Sequence, residues 1–257
     1  MCLILFAFQA HAEYPLVVAA NRDEAYARPA ASAAFWPDFP QVYGGRDLEM
    51  GGTWMGLTRS GRFAAVTNFR DSYPKGVAPR SRGELAGSYL TGAQPAETYL
   101  QTIAARKAEY AGFGFLTGDR QSLWFLSNYA NGVEAVAPGV HGLSNHLLDT
   151  PWPNVTSGKQ VLAALLHRSA HVLADKLFEM LADRTVAAPD DLPDTGVGIL
   201  REKELGPKFI AVDDRYGTRA STVIIVNREG EVHYAERSFG GHGKFLSEVT
   251  QRFTLTT

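Results

Sequence analysis

The chain has 257 residues, of which 45% are hydrophobic and 20% charged, and its formal net charge is −2. This composition is typical of a globular protein, and the near-neutral charge does not indicate a nucleic-acid-binding surface. A single cysteine excludes an intrachain disulfide and a cysteine-rich zinc or iron–sulfur site. It fits a reducing compartment, so we expect a cytoplasmic location, and no stretch approaches the length of a membrane span.

The N-terminal segment contains two apolar runs, Cys2–Gln9 and Pro15–Asn21, joined by a short polar stretch. This pattern predicts a β-hairpin. The alternative is a short signal peptide, because the first run ends in an Ala-x-Ala sequence. No lysine or arginine precedes that run, and a second apolar run follows at once, so the hairpin is favoured.

Four further pairs of apolar segments predict hairpins, and three segments show helical periodicity. The predicted strand pairs are 51–58 with 61–69, 112–118 with 122–129, 132–137 with 139–145, and 221–227 with 232–239. The predicted helices are 82–90, 95–110 and 157–183, the last with a break near Ser169. Many hairpins with a few amphipathic helices predict an α+β fold in which helices cover antiparallel sheets. No convincing boundary divides the chain, so we expect one domain, residues 1–257.

Cys2, which directly follows the initiator methionine, has two interpretations. Removal of Met1 would leave a free α-amine beside the thiol, and an amine with an ordinary pKa of about 7.7–8.0 can accept the thiol proton near neutral pH. Nucleophile and base would then belong to one residue. The alternative is a small apolar residue at the start of a buried strand, since unpaired cysteines are often buried.

Four consecutive polar residues, Asn21, Arg22, Asp23 and Glu24, end the second predicted strand. If the hairpin pairs along its length, residue 2 lies roughly opposite residue 21. Asp23 is then placed to hold the terminal amine, and Arg22 to lower the thiol pKa or bind an anionic group. An ordinary polar turn after a strand is the alternative.

Five separated motifs carry a resemblance that runs from residue 2 to about residue 240. They are MCLILFAF, AANRDEAYARP, GGTWMGLTRSGRFAAVTNFR, GLSNHLLDTPWPNV and YGTRASTVIIVNREGEV. Together they resemble the NRDE family, also called the transport and Golgi organisation 2 family. That family is similar to the N-terminal-nucleophile (Ntn) hydrolases, which implies a four-layer αββα sandwich. The mechanistic relatives are cysteine amidases of the choloylglycine hydrolase and penicillin V acylase group.

The resemblance implies a role for several individual residues. Cys2 matches the nucleophile of the amidases, and Asp23 matches the acid that holds the amine. Asn68 matches an asparagine that donates to an oxyanion, Asn145 matches a second asparagine that contacts the oxyanion or the amine, and Arg219 matches an arginine that flanks the nucleophile. Fixed amide donors suit amide hydrolysis, because its tetrahedral intermediate carries a negative oxygen. Turn-capping asparagines and a solvated arginine at a strand start are the alternatives.

One position departs from the pattern of the amidases. Their arginine three residues before the acid is replaced here by Ala20, and the neighbouring arginine is Arg22. Three aromatic residues, Trp54, Phe69 and Trp152, are candidates for an apolar pocket, although core packing explains any one of them.

Two classes of function follow from these residues. The first is an N-terminal-cysteine amidohydrolase acting on a small acyl amide or thioester, which requires no cofactor and no metal. The second is a binding or trafficking protein on the same scaffold, because the resemblance implies a link to haem mobilisation and to lipid or coenzyme A metabolism. The expected partner is therefore a small acyl substrate or haem, with the haem ligand unidentified.

Overall fold

A computed structural model describes residues 2–70 and 78–256, which contain two antiparallel sheets. The strands of the six-stranded sheet are β1 (Cys2–Phe8), β2 (Leu16–Ala25), β10 (Gly139–Leu143), β11 (Tyr216–Val226), β12 (Glu231–Gly240) and β13 (Lys244–Thr254). Those of the seven-stranded sheet are β3 (Ala30–Phe35), β4 (Val42–Asp47), β5 (Met55–Thr58), β6 (Phe63–Asn68), β7 (Phe113–Gly118), β8 (Leu123–Ser127) and β9 (Val133–Ala135). The strand orders are β10-β1-β2-β11-β12-β13 and β3-β4-β5-β6-β7-β8-β9.

Helices cover the outer face of each sheet. Helices α1 (Arg82–Thr91) and α2 (Ala96–Ala104) pack on the seven-stranded sheet, and α3 (Pro153–Leu165) and α4 (Ala170–Leu181) pack on the six-stranded sheet. A short fifth helix, α5 (Ile199–Leu205), follows α4 in the chain. The molecule is therefore a four-layer αββα sandwich, and the predicted α+β fold is confirmed. No helix within the described residues is long and apolar enough to cross a membrane.

Strand β1 is buried on both faces because the six-stranded sheet lies between the other sheet and helices α3 and α4. Ile4 and Phe6 point into the core between the two sheets, whereas Leu3 and Leu5 point into a second core beneath α3 and α4. A strand buried on both sides needs a continuous apolar run rather than an alternating pattern. This requirement accounts for the continuous apolar run of β1, and the strand begins at Cys2.

The hairpin predicted from 132–137 and 139–145 is wrong. Strand β9 pairs with β8 in the seven-stranded sheet, and β10 pairs with β1 in the other sheet. The chain crosses between the sheets around Pro138, so two strands that are close in sequence do not share a sheet. The hairpins β1–β2, β5–β6, β7–β8 and β11–β12 form as predicted. The long helical segment breaks at Ser169, the N-cap of α4.

Candidate active site

The thiol of Cys2 and the side chain of Arg22 lie on the same face of the six-stranded sheet. Cys2 is paired with Arg22 in the β1–β2 register, one residue beyond the expected position 21. Asn21 consequently points to the opposite face, where its amide donates to the carbonyls of Leu181 and Lys208 at 2.9 and 2.7 Å. The shift by one residue makes Arg22, rather than Asn21, the neighbour of the thiol.

A cleft of about 350 Å³ opens at this end of the two sheets. Four of the six predicted site residues line it: Cys2, Arg22, Asp23 and Asn68. Among the described residues, its charged lining comprises four arginines, Arg22, Arg28, Arg80 and Arg82, and four carboxylates, Asp23, Glu24, Asp47 and Glu49. Thr53, Trp54 and Val66 also line it. The cleft therefore combines a thiol with a strongly polar wall.

Asp23 is a buried carboxyl group with an unusual proton affinity. Only 4% of the residue is exposed, and its Oδ1 accepts a hydrogen bond of 2.6 Å from the hydroxyl of Thr218. Burial raises the pKa of Asp23 to about 7, although the Thr218 hydrogen bond favours the charged form. An acid that titrates near neutrality and lies next to a nucleophile is characteristic of catalytic sites.

Burial is also the largest effect on the pKa of the Cys2 thiol. Cys2 is 7% exposed, and desolvation raises the pKa of its thiol. The nearby charge of Arg22 acts in the opposite direction but is the smaller effect. Arg22 therefore acts on the thiol pKa in the expected direction, but burial at the start of an interior strand outweighs it. Arg22 also lies 3.8 Å from the carboxylate of Asp47, with which it shares its charge.

The two predicted asparagines have different environments. Asn68 ends β6 at the cleft. Asn145 is 2% exposed, is not among the residues that line the cleft, and donates its side-chain amide to the backbone carbonyl of Asn68 at 2.9 Å. Its own carbonyl accepts the N–H of Arg70 at 2.7 Å. Asn145 therefore holds the end of β6 in place, and Asn68 is the asparagine that faces the thiol cleft.

Arg219 lines a neighbouring cavity of about 200 Å³ rather than the thiol cleft, and Arg22 and Trp54 border both spaces. The β2–β11 register shifts between Thr218 and Ala220, so Arg219 sits at a β-bulge, a feature that redirects a side chain. Its guanidinium donates to the carbonyl of Ala25 at 3.2 Å. Arg219 therefore borders the cavity next to the thiol cleft, and Arg22 lies between the two spaces as a lining residue of both.

Three residues near the cleft were not predicted from the sequence. Thr218 donates to Asp23, and Arg82 lines the cleft with one guanidinium nitrogen bonded to the carbonyl of Gly112 at 3.0 Å. Arg70 forms a buried ion pair with Glu202 of α5. Thr218 stands beside Arg219 in the fifth motif and Arg70 ends the third motif, which are usable signals, whereas Arg82 lies in an ordinary amphipathic segment that carries none.

The candidate aromatic residues do not form one pocket. Trp54 lines the cleft. The ring centroid of Trp152, in contrast, lies 4.8 Å from the guanidinium carbon of Arg70. Phe69 stacks on Tyr129, with the two ring centroids 3.9 Å apart. In the described part of the chain, no group of three or more histidine, cysteine or carboxylate side chains is arranged to hold a metal ion.

Comparisons with known proteins agree with the motifs. The sequence profile of the family described as Transport and Golgi organisation 2 matches residues 1–241. The chain is 36% identical to the Transport and Golgi organization protein 2 homolog of Bos taurus over 269 residues, which covers 97% of each chain. It is 35% identical to the human homolog, with 93% of each chain covered, and 29% identical to the Drosophila melanogaster protein, with 95% of each covered.

Among solved structures, the chain is similar to an N-acylethanolamine-hydrolyzing acid amidase ortholog of Caenorhabditis elegans, with a TM-score of 0.49, 12% identity and coverage of 87% of this chain and 92% of the other. It is also similar to a mutant conjugated bile acid hydrolase of Clostridium perfringens, with a TM-score of 0.46, 10% identity and coverage of 99% and 92%. At these scores neither likeness bears on the function. The profile match and the relatives are decisive for the family: the chain belongs to the Transport and Golgi organisation 2 family.

Proposed function

We propose that this chain is an N-terminal-cysteine amidohydrolase that cleaves a small acyl amide or acyl thioester. The observation that carries the proposal is the placement of Cys2, Asp23 and Asn68 around one cleft, with Asp23 buried and its pKa raised to about 7. Cys2 and Asn68 are 66 positions apart in sequence and line the same cleft, as hydrolysis with an amide donor beside the thiol requires.

The mechanism begins with removal of Met1, which gives Cys2 an α-amine. Because Cys2 is opposite Arg22, the next residue, Asp23, lies beside the nitrogen end of Cys2 and can hold that amine. The amine takes the thiol proton, and the sulfur attacks the substrate carbonyl. The Asn68 amide donates to the oxyanion that forms, an interaction that contributes about 10²–10³ in rate.

Collapse of the tetrahedral intermediate expels the amine or thiol of the substrate, which takes the proton from the α-ammonium. The product is an acyl thioester on Cys2. Water, deprotonated by the same amine, then attacks this thioester and releases the carboxylic acid. The first half-reaction returns the amine to its neutral state, and in the second the α-ammonium gives its proton back to the departing thiolate. The full cycle therefore restores both groups and needs no oxidant, metal or cofactor.

The test uses protein whose loss of Met1 is verified by intact mass and a panel of acyl amides and acyl thioesters. We expect turnover in the native protein, and its loss in Cys2→Ala. Cys2→Ser is the matched variant, because serine is also small enough for Met1 removal and keeps a hydroxyl at the site of the thiol. Absence of turnover for every acyl substrate, or undiminished turnover in Cys2→Ala, would overturn the proposal.

Haem binding is the alternative expected from the sequence. The described lining of the cleft contains Cys2 and Met50 but no histidine, so an axial ligand from this lining would be one of these two sulfurs. A haem titration followed by Soret absorbance, repeated with Cys2→Ala and Met50→Ala, tests this alternative. Saturable haem binding that is lost in one of these variants, without turnover of any acyl substrate, would favour haem binding over hydrolysis as the function of the cleft.

A further inference from the structure

The arginines of the cleft differ in how their charges are neutralised. Arg28 forms an ion pair of 2.7 Å with Asp47, and Arg22 approaches the same carboxylate at 3.8 Å. Arg80 is paired with Glu84. These three guanidinium groups therefore have carboxylate partners within the protein, which reduces their capacity to attract a further anion.

Arg82 is the exception among them. Within the described residues its guanidinium forms no ion pair, and its Nη1 donates to a neutral acceptor, the carbonyl of Gly112, at 3.0 Å. The residue is half-buried, and desolvation lowers its pKa. A guanidinium has five N–H donors in a planar fork, so one carbonyl leaves most of its donors available to a ligand in the cleft.

The backbone that carries Arg82 is held firmly against the seven-stranded sheet. Arg82 is the first residue of α1, and the N–H of Thr53 donates to the carbonyl of the next residue, Gly83, at 3.1 Å. Gly52 has no room for a side chain, because a Cβ there would lie 2.4 Å from the Gly83 carbonyl oxygen. This close contact fixes the backbone from which the Arg82 side chain extends, and the bond to the Gly112 carbonyl holds its guanidinium at the thiol cleft.

We propose that the acyl substrate of this cleft carries a carboxylate, and that Arg82 is the residue that binds it. The inference rests on the proposed function for the role of Cys2 as the reacting group. An arginine that has no ion-pair partner among the described residues and lies in a cleft with a nucleophile fits a carboxylate better than a neutral group, because a guanidinium and a carboxylate can form two parallel charge-assisted hydrogen bonds. Arg82 is thus a residue that determines specificity.

The single cysteine of the chain allows a test that does not depend on turnover. Iodoacetate and iodoacetamide alkylate a thiol at the same carbon and differ in whether the reagent carries a carboxylate or a neutral amide. The rate ratio of iodoacetate to iodoacetamide is measured for Cys2 in Met1-free protein and for a short peptide thiol. We expect the protein's ratio to exceed that of the peptide by about tenfold or more, as one charge-assisted contact allows.

In Arg82→Gln we expect this ratio to fall to that of the peptide. Arg80→Gln is the matched control, because Arg80 lines the same cleft but is paired with Glu84, and it should keep the high ratio. A ratio in the native protein that does not exceed the peptide's, or one that is unchanged in Arg82→Gln, would overturn the proposal.

A second measurement covers the case in which Arg82→Gln does not fold. N-acetylglycine and N-acetylglycinamide are compared as protectants of native Cys2 against iodoacetamide, and we expect protection at lower concentration by the carboxylate. Equal protection would overturn the proposal. The two failures are distinguishable: carboxylate selectivity without hydrolysis of any acyl compound removes the proposed function, whereas Cys2-dependent hydrolysis without carboxylate selectivity removes only the role of Arg82.

Discussion

The hydroxyl of Thr218 donates a hydrogen bond of 2.6 Å to Oδ1 of Asp23, across the pairing of β11 with β2. The same hydroxyl oxygen accepts the N–H of Ile210 at 2.8 Å. The hydroxyl proton is thereby directed to the carboxyl group, and Thr218 stabilises the ionised form of a buried acid. This hydrogen bond connects β11, the strand that contains Arg219, to Asp23, the residue expected to hold the α-amine.

We expect Thr218→Val to raise the pKa of Asp23 further, because valine has the shape of threonine but no donor. If Asp23 must be ionised to hold the α-ammonium, the acidic limb of the kcat/KM–pH profile moves to higher pH. The variant also leaves the buried N–H of Ile210 without its acceptor, which costs about 1–3 kcal/mol of stability. Thr218→Ser restores a hydroxyl and serves as the control. Identical acidic limbs in the two variants would contradict the role of Thr218.

The raised pKa of Asp23 predicts a pH-dependent stability. Between the usual pKa of 3.8 and the folded value of about 7, the folded protein retains a proton that the unfolded chain has lost. The free energy of unfolding therefore falls as the pH rises through this window, by about 1.4 kcal/mol per pH unit at most, and stays constant above it. Asp23→Asn removes this dependence, since an amide does not ionise.

We accordingly expect Asp23→Asn to be more stable than the native protein at pH 8 and to lose this advantage near pH 4, while it loses turnover. Urea unfolding at several pH values measures the difference, with Asp190→Asn, a substitution of an exposed aspartate, as the control. A stability difference between Asp23→Asn and native protein that does not change with pH would show that Asp23 is ionised throughout. All proteins should carry the same N-terminus, verified by mass, because the α-amine acts on the same carboxyl group.

Much of the strand-rich architecture was predictable because short-range patterns in the sequence indicate its hairpins and helices. Continuous apolar runs, short polar turns and helical periodicity gave four of the five hairpins and the break at Ser169. Strand β13 was not predicted, since it is an edge strand with mostly exposed residues and has no apolar run to mark it. Strand β3 is similarly rich in exposed small residues. Such strands form because a neighbour offers hydrogen bonds, which the sequence does not reveal.

The site was predictable only in part, for a related reason. The pairing of Cys2 with the Arg22–Asp23 segment follows from a hairpin, which is local, but an error of one residue in register exchanges the faces of Asn21 and Arg22. The bulge at Arg219 redirects that side chain away from the thiol cleft, and nothing in the sequence around it signals the extra residue. The position of Arg82 at the cleft depends on the packing of α1 against Gly52, a contact between segments that are distant in sequence.

The two candidate asparagines should respond differently to substitution. Asn145→Ala removes a buried amide and leaves the carbonyl of Asn68 without this donor, so we expect a loss of about 1–3 kcal/mol in the free energy of unfolding. Asn68→Ala keeps that backbone carbonyl and removes only the side chain that faces the cleft. It should reduce kcat by about 10²–10³ if its amide serves the oxyanion.

Urea unfolding and steady-state kinetics of both variants separate these roles, and Asn68→Asp is a further control that retains size but replaces the amide donor with a carboxylate. A large stability loss in Asn68→Ala with undiminished kcat would return Asn68 to a turn-capping role. Full stability in Asn145→Ala would show that its bond to the end of β6 contributes little.

The ion pair between Arg70 and Glu202 gives the last prediction. Its Nη1–Oε2 distance is 2.5 Å, and the two side chains are 5% and 2% exposed. Glu202 also accepts hydrogen bonds from the N–H and the hydroxyl of Thr195. One carboxylate on α5 therefore connects the segment before this helix to Arg70, which lies two residues after the end of β6. Removing the negative charge leaves the guanidinium buried without its carboxylate, an effect of about 3–5 kcal/mol for such pairs.

We therefore expect Glu202→Gln to lower the free energy of unfolding by several kcal/mol, measured by urea denaturation. The matched control is Glu204→Gln on the same helix, whose partner Arg201 lies at 2.7 Å but whose pair is about half exposed, so its loss should cost at most about 1 kcal/mol. Glu202→Gln should also affect Asp23. The positive charge of Arg70 favours the ionised form of Asp23, and this substitution would leave that charge less neutralised. In the protein that stays folded, the acidic limb of the kcat/KM–pH profile should therefore shift to lower pH. Equal stability losses in the two glutamine variants would show that burial does not strengthen the Arg70–Glu202 pair.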